Sequence, residues 1–189
     1  KVPKIFYNLD PAKVTKVRQI LLHTAFTGQQ TKPIALYLNN ESYENPITEL
    51  PKVGSTEIWE FINLTNGMHP IHLHLVDFQL LNRQNFDFKK YTQDLLAQNP
   101  NIQPGKGIKN PLDVTSYLQG NAISPYGTNE NAWKDVIQAQ GNVVTRIIVN
   151  FSPQGNLKYP FNPKKGEYTW HCHILSHEDN EMMRPFKLT

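Results

Sequence analysis

Apolar and polar positions alternate along this chain in short runs broken by turn residues, which predicts strands rather than long helices. Arg18-Gln-Ile-Leu-Leu-His23 is an apolar run rich in strand formers, and Ala35-Leu-Tyr-Leu38 stops at the turn pair Asn39-Asn40. Pro51-Lys-Val-Gly54 reads as a turn entry to Glu57-Ile-Trp-Glu-Phe-Ile62, whose alternation is that of a half-buried strand. His72 to Leu81 is the next strand candidate, and the signal returns at Val143 to Phe151 and Glu167 to Trp170. Between them the character changes. Residues 85–131 carry four prolines (Pro100, Pro104, Pro111 and Pro125) with many Asn and Gly. One amphipathic helix is predicted there, Phe88 to Gln98, with Tyr91, Leu95 and Leu96 on one face. A loop this long inside a compact domain is either functional or a disordered insertion. Many short strands joined by polar turns predict an antiparallel sandwich or barrel.

The chain has 189 residues, 39% hydrophobic and 19% charged, which suits one globular domain with a real core. A formal net charge of +3 is too small to argue for nucleic acid, and no apolar run approaches a membrane span. The first residue is Lys1 and no signal-like segment follows it, so the chain reads as a piece of something longer. Cys172 is the single cysteine, so bridges say nothing of redox compartment. A lone cysteine is ordinarily a buried, inert hydrophobe, and only its neighbours change that reading.

Those neighbours are histidines. Of seven in the chain, six fall in two places: His69-Pro-Ile-His72-Leu-His74, and His171-Cys172-His173 followed by His177. Side chains alternate faces along a strand. His171 and His173 therefore point one way and Cys172 the other, and His72 and His74 share a face. Two adjacent sites follow. One takes four imidazoles from the paired His-x-His segments. The other takes the Cys172 thiolate, with His69 (before Pro70 and outside the strand register), His177 and Met182 within reach. Two imidazoles, a thiolate and a weak axial thioether are the blue-copper ligand set, in which soft sulfur suits Cu(I) and imidazole suits both oxidation states. Met183 competes with Met182 for the axial place. Zinc takes the same residue types. A cupin-type site also uses His-x-His, but Leu75-Val-Asp-Phe78 stands where its glutamate would follow. His23, alone in an apolar run, reads as a core residue. Asn40-Glu-Ser42 and Asn63-Leu-Thr65 match glycosylation acceptors, relevant only in a eukaryotic secretory route.

His69-Pro-Ile-His-Leu-His74 and the stretch from His171 to Pro185 resemble the two C-terminal copper motifs of multicopper oxidases, nearest the bacterial spore-coat laccase and bilirubin oxidase branch. Pro51 to Trp59 and Trp133-Lys-Asp-Val136 are similar to segments of the same branch, so the resemblance runs from about Arg18 to the end. It implies an all-β cupredoxin fold, a Greek-key β-sandwich with the loop and helix insertion at about 85–131, as the last domain of a longer oxidase. It assigns His69, Cys172, His177 and Met182 to type 1 copper, His72 to type 2 copper, and His74, His171 and His173 to the type 3 pair. Glu178 matches an acidic residue that helps deliver protons; its plainer reading is a solvated surface carboxylate. The implied activity takes single electrons from a phenolic or other aromatic reductant through the His177 edge, passes them along Cys172 and reduces O2 to water. The resemblance also implies an extracytoplasmic or cell-surface location.

The family's trinuclear cluster uses eight histidines and this chain offers four in the right motifs. The type 2 and type 3 sites are therefore expected to be shared with N-terminal cupredoxin domains of the same protein, and the isolated chain is expected to be inactive. A stand-alone electron-transfer cupredoxin, needing the type 1 site alone, is the alternative, and a copper-free structural domain is a third reading. The insertion at 85–131 either shapes access to the type 1 site or decorates the surface. Only three methionines are present, without methionine-rich copper-binding segments, which favours organic reductants over cuprous ion.

Overall fold

The computed structural model describes residues 9–25, 35–125, 128–155 and 157–189. The strands are β1 (Val14–Thr24), β2 (Leu36–Leu38), β3 (Thr56–Asn63), β4 (His69–Leu73) and β5 (Phe78–Phe86). A helix α1 (Phe88–Gln98) follows, then β6 (Leu118–Ile123), β7 (Trp133–Lys134), β8 (Val136–Ala139), β9 (Val143–Asn150) and β10 (Tyr168–Cys172). The chain closes with a single-turn helix α2 (Leu175–Glu178) and β11 (Met183–Phe186).

Two sheets form the sandwich. One has the strand order β2-β1-β3-β9-β5-β6 with β7 added beside β5; the other runs β11-β10-β4-β8. The pairings are antiparallel except β1 with β3, which is parallel. Their inner faces meet in one core that holds Ile20, Trp59, Phe61, Ile147, Trp170, Phe186 and Cys172. Aromatic packing binds the layers: Trp59 from the large sheet meets Trp170 from the small one edge to face, with ring centroids 5.4 Å apart.

The insertion forms a second, smaller core on the outer face of the large sheet. Tyr91 and Leu95 of α1 and Val114 pack there against Leu21, Ile62 and Val144. The helix begins where Asp87 accepts a hydrogen bond from the Lys90 N–H, an N-cap that satisfies one orphan donor. Leu96, expected on the same face, stays half-exposed. Further along, Asn40 Nδ2 donates to the Gln103 and Gly107 carbonyls and anchors the insertion to the β2 turn. That turn uses Asn39 and Asn40 at positive φ, a backbone region asparagine tolerates.

Three expectations need correction. The His72–Leu81 run is two strands. β4 belongs to the small sheet and β5 to the large one, and the chain crosses between them at a corner where Leu75 takes φ +73°. The Glu57–Ile62 strand is not half-buried, because its polar face is covered too. Glu57 is paired with Arg18 at 2.6 Å, and Glu60 with Arg146. Finally, Asn40 and Asn63 are fully buried with both amides engaged, so the fold itself takes up both glycosylation-like triplets. His23 is buried as expected, on β1. Among the described residues, no helix is long and apolar enough to cross a membrane.

Candidate metal centre

The ladder between β4 and β10 places Ile71 opposite Cys172 and His72 opposite His171. Directly paired residues share a face, so alternation sorts the side chains into two sets. Odd positions of β4 and even positions of β10 face the core: His69, Ile71, Trp170 and Cys172. The others face outward: His72 and His171. His74 and His173 lie just past the strand ends but continue the pairing, His74 through its N–H to the Thr169 carbonyl and His173 to the Pro70 carbonyl. His69 is therefore inside the register, paired with Ala139, and not outside it as the following proline suggested. Pro70 keeps its acceptor role, taking the His173 N–H, at a point where β10 has already ended.

On the inner side three ligand atoms converge. The Cys172 Sγ lies 3.7 Å from His69 Nδ1 and 3.6 Å from His177 Nδ1, and the two nitrogens are 3.2 Å apart. The point equidistant from all three lies about 2.0 Å from each, the length of a metal–nitrogen bond and a few tenths of an ångström short of a metal–thiolate bond. His177 reaches this point from α2, half-exposed at the edge of the sandwich, whereas Cys172 is fully buried. Met182 is also fully buried in the core that holds Cys172, and its carbonyl accepts the Cys172 N–H at 2.9 Å. Met183 pairs with His171, so its side chain takes the opposite face.

The chemistry of this donor set suits a soft cation. Burial lowers His69 to about 4, with help from the nearby His177, and lowers His177 as well. Both rings are neutral near pH 7 and keep a lone pair. Burial pushes the Cys172 thiol up to about 11, against a hydrogen bond from the Ile174 N–H. A thiolate in this pocket needs a bound cation to offset it.

On the outer side, ligand atoms of His72, His74 and His171 lie within 4.8 Å of one another. His74 Nε2 and His171 Nε2 are 3.1 Å apart, and the His173 ring centroid is 5.5 Å from that of His171. Two of these rings are aimed by acceptors on the other nitrogen. His72 Nδ1 donates to the Asp135 carbonyl at 2.8 Å. His171 Nδ1 faces the Cys172 carbonyl and Glu178 Oε2, each at 3.2 Å. Both arrangements leave Nε2 free for a metal. Burial and the neighbouring imidazoles lower His74, which again favours the neutral, ligating ring. The cluster opens to the surface, with His74 and His173 exposed and only His171 buried. An open depression of ≈350 Å³ adjoins it, lined by His72, His74, Asp77 and Asp135. A larger one of ≈530 Å³ lies between β1 and the insertion, and no residue of either cluster lines it. The role of the Asp135 carbonyl left no trace in the sequence, since any residue there would supply it.

The family model for multicopper oxidases matches residues 13–189. The chain belongs to the multicopper oxidase family. Among its relatives, a laccase of Bacillus subtilis is 42% identical over 188 residues, covering 99% of this chain and 31% of that protein. Multicopper oxidase LPR1 of Arabidopsis thaliana is 34% identical over 186 residues, covering 96% of this chain and 30% of that protein. The chain thus spans just under a third of these relatives' length. In fold it is similar to a multicopper oxidase from Campylobacter jejuni, a metallo-oxidase, with TM-score 0.62 and 20% identity, covering 98% of this chain and 32% of that one. It is likewise similar to the McoA multicopper oxidase of Aquifex aeolicus, with TM-score 0.58 and 22% identity, covering 96% and 30%. This multicopper oxidase domain has the cupredoxin sandwich expected of it, and membership of the family implies copper as the metal for the His/Cys clusters.

Proposed function

We propose that this chain is the C-terminal cupredoxin domain of a laccase-type oxidase, taking single electrons from phenolic or other aromatic reductants. In this reading His69, Cys172 and His177 would hold a type 1 copper, with Met182 supplying a weak thioether ligand. His72 serves type 2 copper, and His74, His171 and His173 serve the type 3 pair, both completed by N-terminal cupredoxin domains of the same protein. Copper held in these sites supplies one-electron oxidation of the reductant and reduction of dioxygen to water.

The observation that carries the reading is the back-to-back placement of the two clusters across one strand pair. The covalent path from Cys172 to His171 or His173 is a single peptide unit, so the chain links a buried sulfur to the outward imidazoles through bonds. His177, half-exposed, is the edge at which a donor meets the inner cluster. Glu178 joins α2 to the outer cluster. Its Oε2 sits 3.2 Å from His171 Nδ1 while the side chain keeps 23% exposure, so it can exchange a proton with solvent and hold one beside that ring. A stand-alone electron carrier would have no use for four outward imidazoles, and their openness favours a shared site over a closed one.

Copper reconstitution tests this. The expected result is an intense thiolate-to-copper absorption band that disappears in Cys172→Ser and persists in His74→Ala. Absence of any Cys172-dependent band after loading would refute the inner site. A further copper equivalent that binds only when the N-terminal domains are supplied, and is lost in His74→Ala, is expected for the outer one.

A further inference from the structure

Loop 63–69 joins β3 to β4 and carries a hydrogen-bond chain whose direction is forced at every link. Asn63 is the buried last residue of β3. Its Nδ2 donates to the Gly67 carbonyl at 2.8 Å and the Ala139 carbonyl at 3.0 Å. Its Oδ1 accepts the Thr65 N–H at 2.9 Å. Carbonyls only accept and a backbone N–H only donates, so the amide has one permitted orientation.

The Thr65 hydroxyl comes next. It has one hydrogen to give, and two of its neighbours are pure acceptors: Asn63 Oδ1 at 2.8 Å and the Gly67 carbonyl at 3.1 Å. With its hydrogen committed there, the hydroxyl oxygen can only accept from its third neighbour, His69 Nε2 at 2.8 Å. The ring hydrogen of His69 is thereby placed on Nε2. The bare lone pair is left on Nδ1, the atom that faces Cys172 Sγ and His177 Nδ1. The loop has little freedom to do otherwise. The Asn142 N–H binds the Thr65 carbonyl at 3.1 Å, and Gly141 packs so close that a Cβ there would come within 2.4 Å of the Asn66 carbonyl oxygen.

We propose that Thr65 and Asn63 are positioning residues for the inner metal site. They fix His69 in the Nε2–H tautomer and hold its Nδ1 towards the metal. This rests on the reading that His69, Cys172 and His177 hold copper. A hydrogen bond to the second nitrogen of a metal-binding imidazole sets both ring orientation and basicity, and its loss ordinarily weakens metal binding about 10–100-fold.

The test uses Thr65→Val, which keeps the side chain's shape and removes the hydroxyl, with Thr65→Ser as the variant that restores it. Copper affinity is measured by competition with a chromophoric chelator on the copper-loaded protein. Thr65→Val is expected to bind about 10–100-fold more weakly and Thr65→Ser to stay near the parent. Long-range nitrogen–proton NMR on metal-free protein reads the tautomer directly, without copper, and is expected to find the His69 hydrogen on Nε2 in the parent and redistributed in Thr65→Val. Parent-like affinity in Thr65→Val, or a hydrogen on Nδ1 in the parent, would overturn the proposal while leaving the copper reading standing. A parent protein with no Cys172-dependent copper band would overturn both.

Discussion

Acidification isolates the contribution of one buried imidazole, His23 on β1. The ring is 2% exposed, and its Nδ1 meets the Thr24 carbonyl at 2.7 Å. Desolvation lowers it from 6.5 to about 4, outweighing that hydrogen bond. The folded state therefore excludes the cation that the unfolded chain forms freely. Stability from this group is fully present above pH 6.5, falls as pH drops towards 4, and is constant below that. At 1.36 kcal/mol per unit, the loss between pH 7 and pH 5 is about 2 kcal/mol, and by pH 4 about 3 kcal/mol. That is a large part of the roughly 5–15 kcal/mol that holds an ordinary domain together. Urea denaturation of the parent and of His23→Gln, each at pH 7, 5 and 4, measures it. The glutamine variant has nothing to titrate at this position, so its stability should fall less between pH 7 and pH 5, by about 2 kcal/mol. Parallel pH profiles for the two proteins would mean that His23 is not held neutral by burial. His23→Gln should also retain the Cys172-dependent copper band, because His23 lies outside both clusters.

Met182→Leu should raise the reduction potential of the copper-loaded inner site and Met183→Leu should leave it unchanged, since register turns Met183 to the other face; voltammetry reads both. The isolated 189-residue chain, even loaded with copper, should show no sustained oxygen consumption with a phenolic donor, because its outer cluster offers only four imidazoles; an oxygen electrode checks this. Arg184 is 1% exposed and donates to the carbonyls of Ser42, Tyr43, Asn45 and Pro46. Arg184→Met strips those acceptors and should lower stability by at least about 3 kcal/mol in a urea titration.

The sequence carried the sandwich and the two clusters because both depend on alternation, which a linear string displays directly. The helix over Phe88–Gln98 was legible for the same reason, its apolar spacing being local. What stayed hidden depends on partners distant in the chain. Nothing in the apolar run from His72 to Leu81 marks where it leaves one sheet for the other. The polar face of β3 reads as solvated until Arg18 and Arg146 cover it. Strand β8 was missed because four residues give too short a pattern, yet it sets the register of His69 through Ala139. The Asn63-Leu-Thr65 triplet carried a visible signal that pointed to the wrong chemistry, because burial decides whether an asparagine meets a sugar transferase or a histidine's neighbour.

The β4–β10 ladder also ties the inner donor set to folding of the whole small sheet. His69 and Cys172 stand 103 positions apart, and only the completed small sheet brings them together. An unfolded chain instead offers copper two separate local clusters, His69 to His74 and His171 to His177, each a flexible chelate without the partners that the other supplies. Metal that arrives before the strands pair meets the wrong coordination shell. The complete inner donor set therefore exists only once the small sheet has paired, which makes it a product of tertiary folding and not of any local stretch of chain.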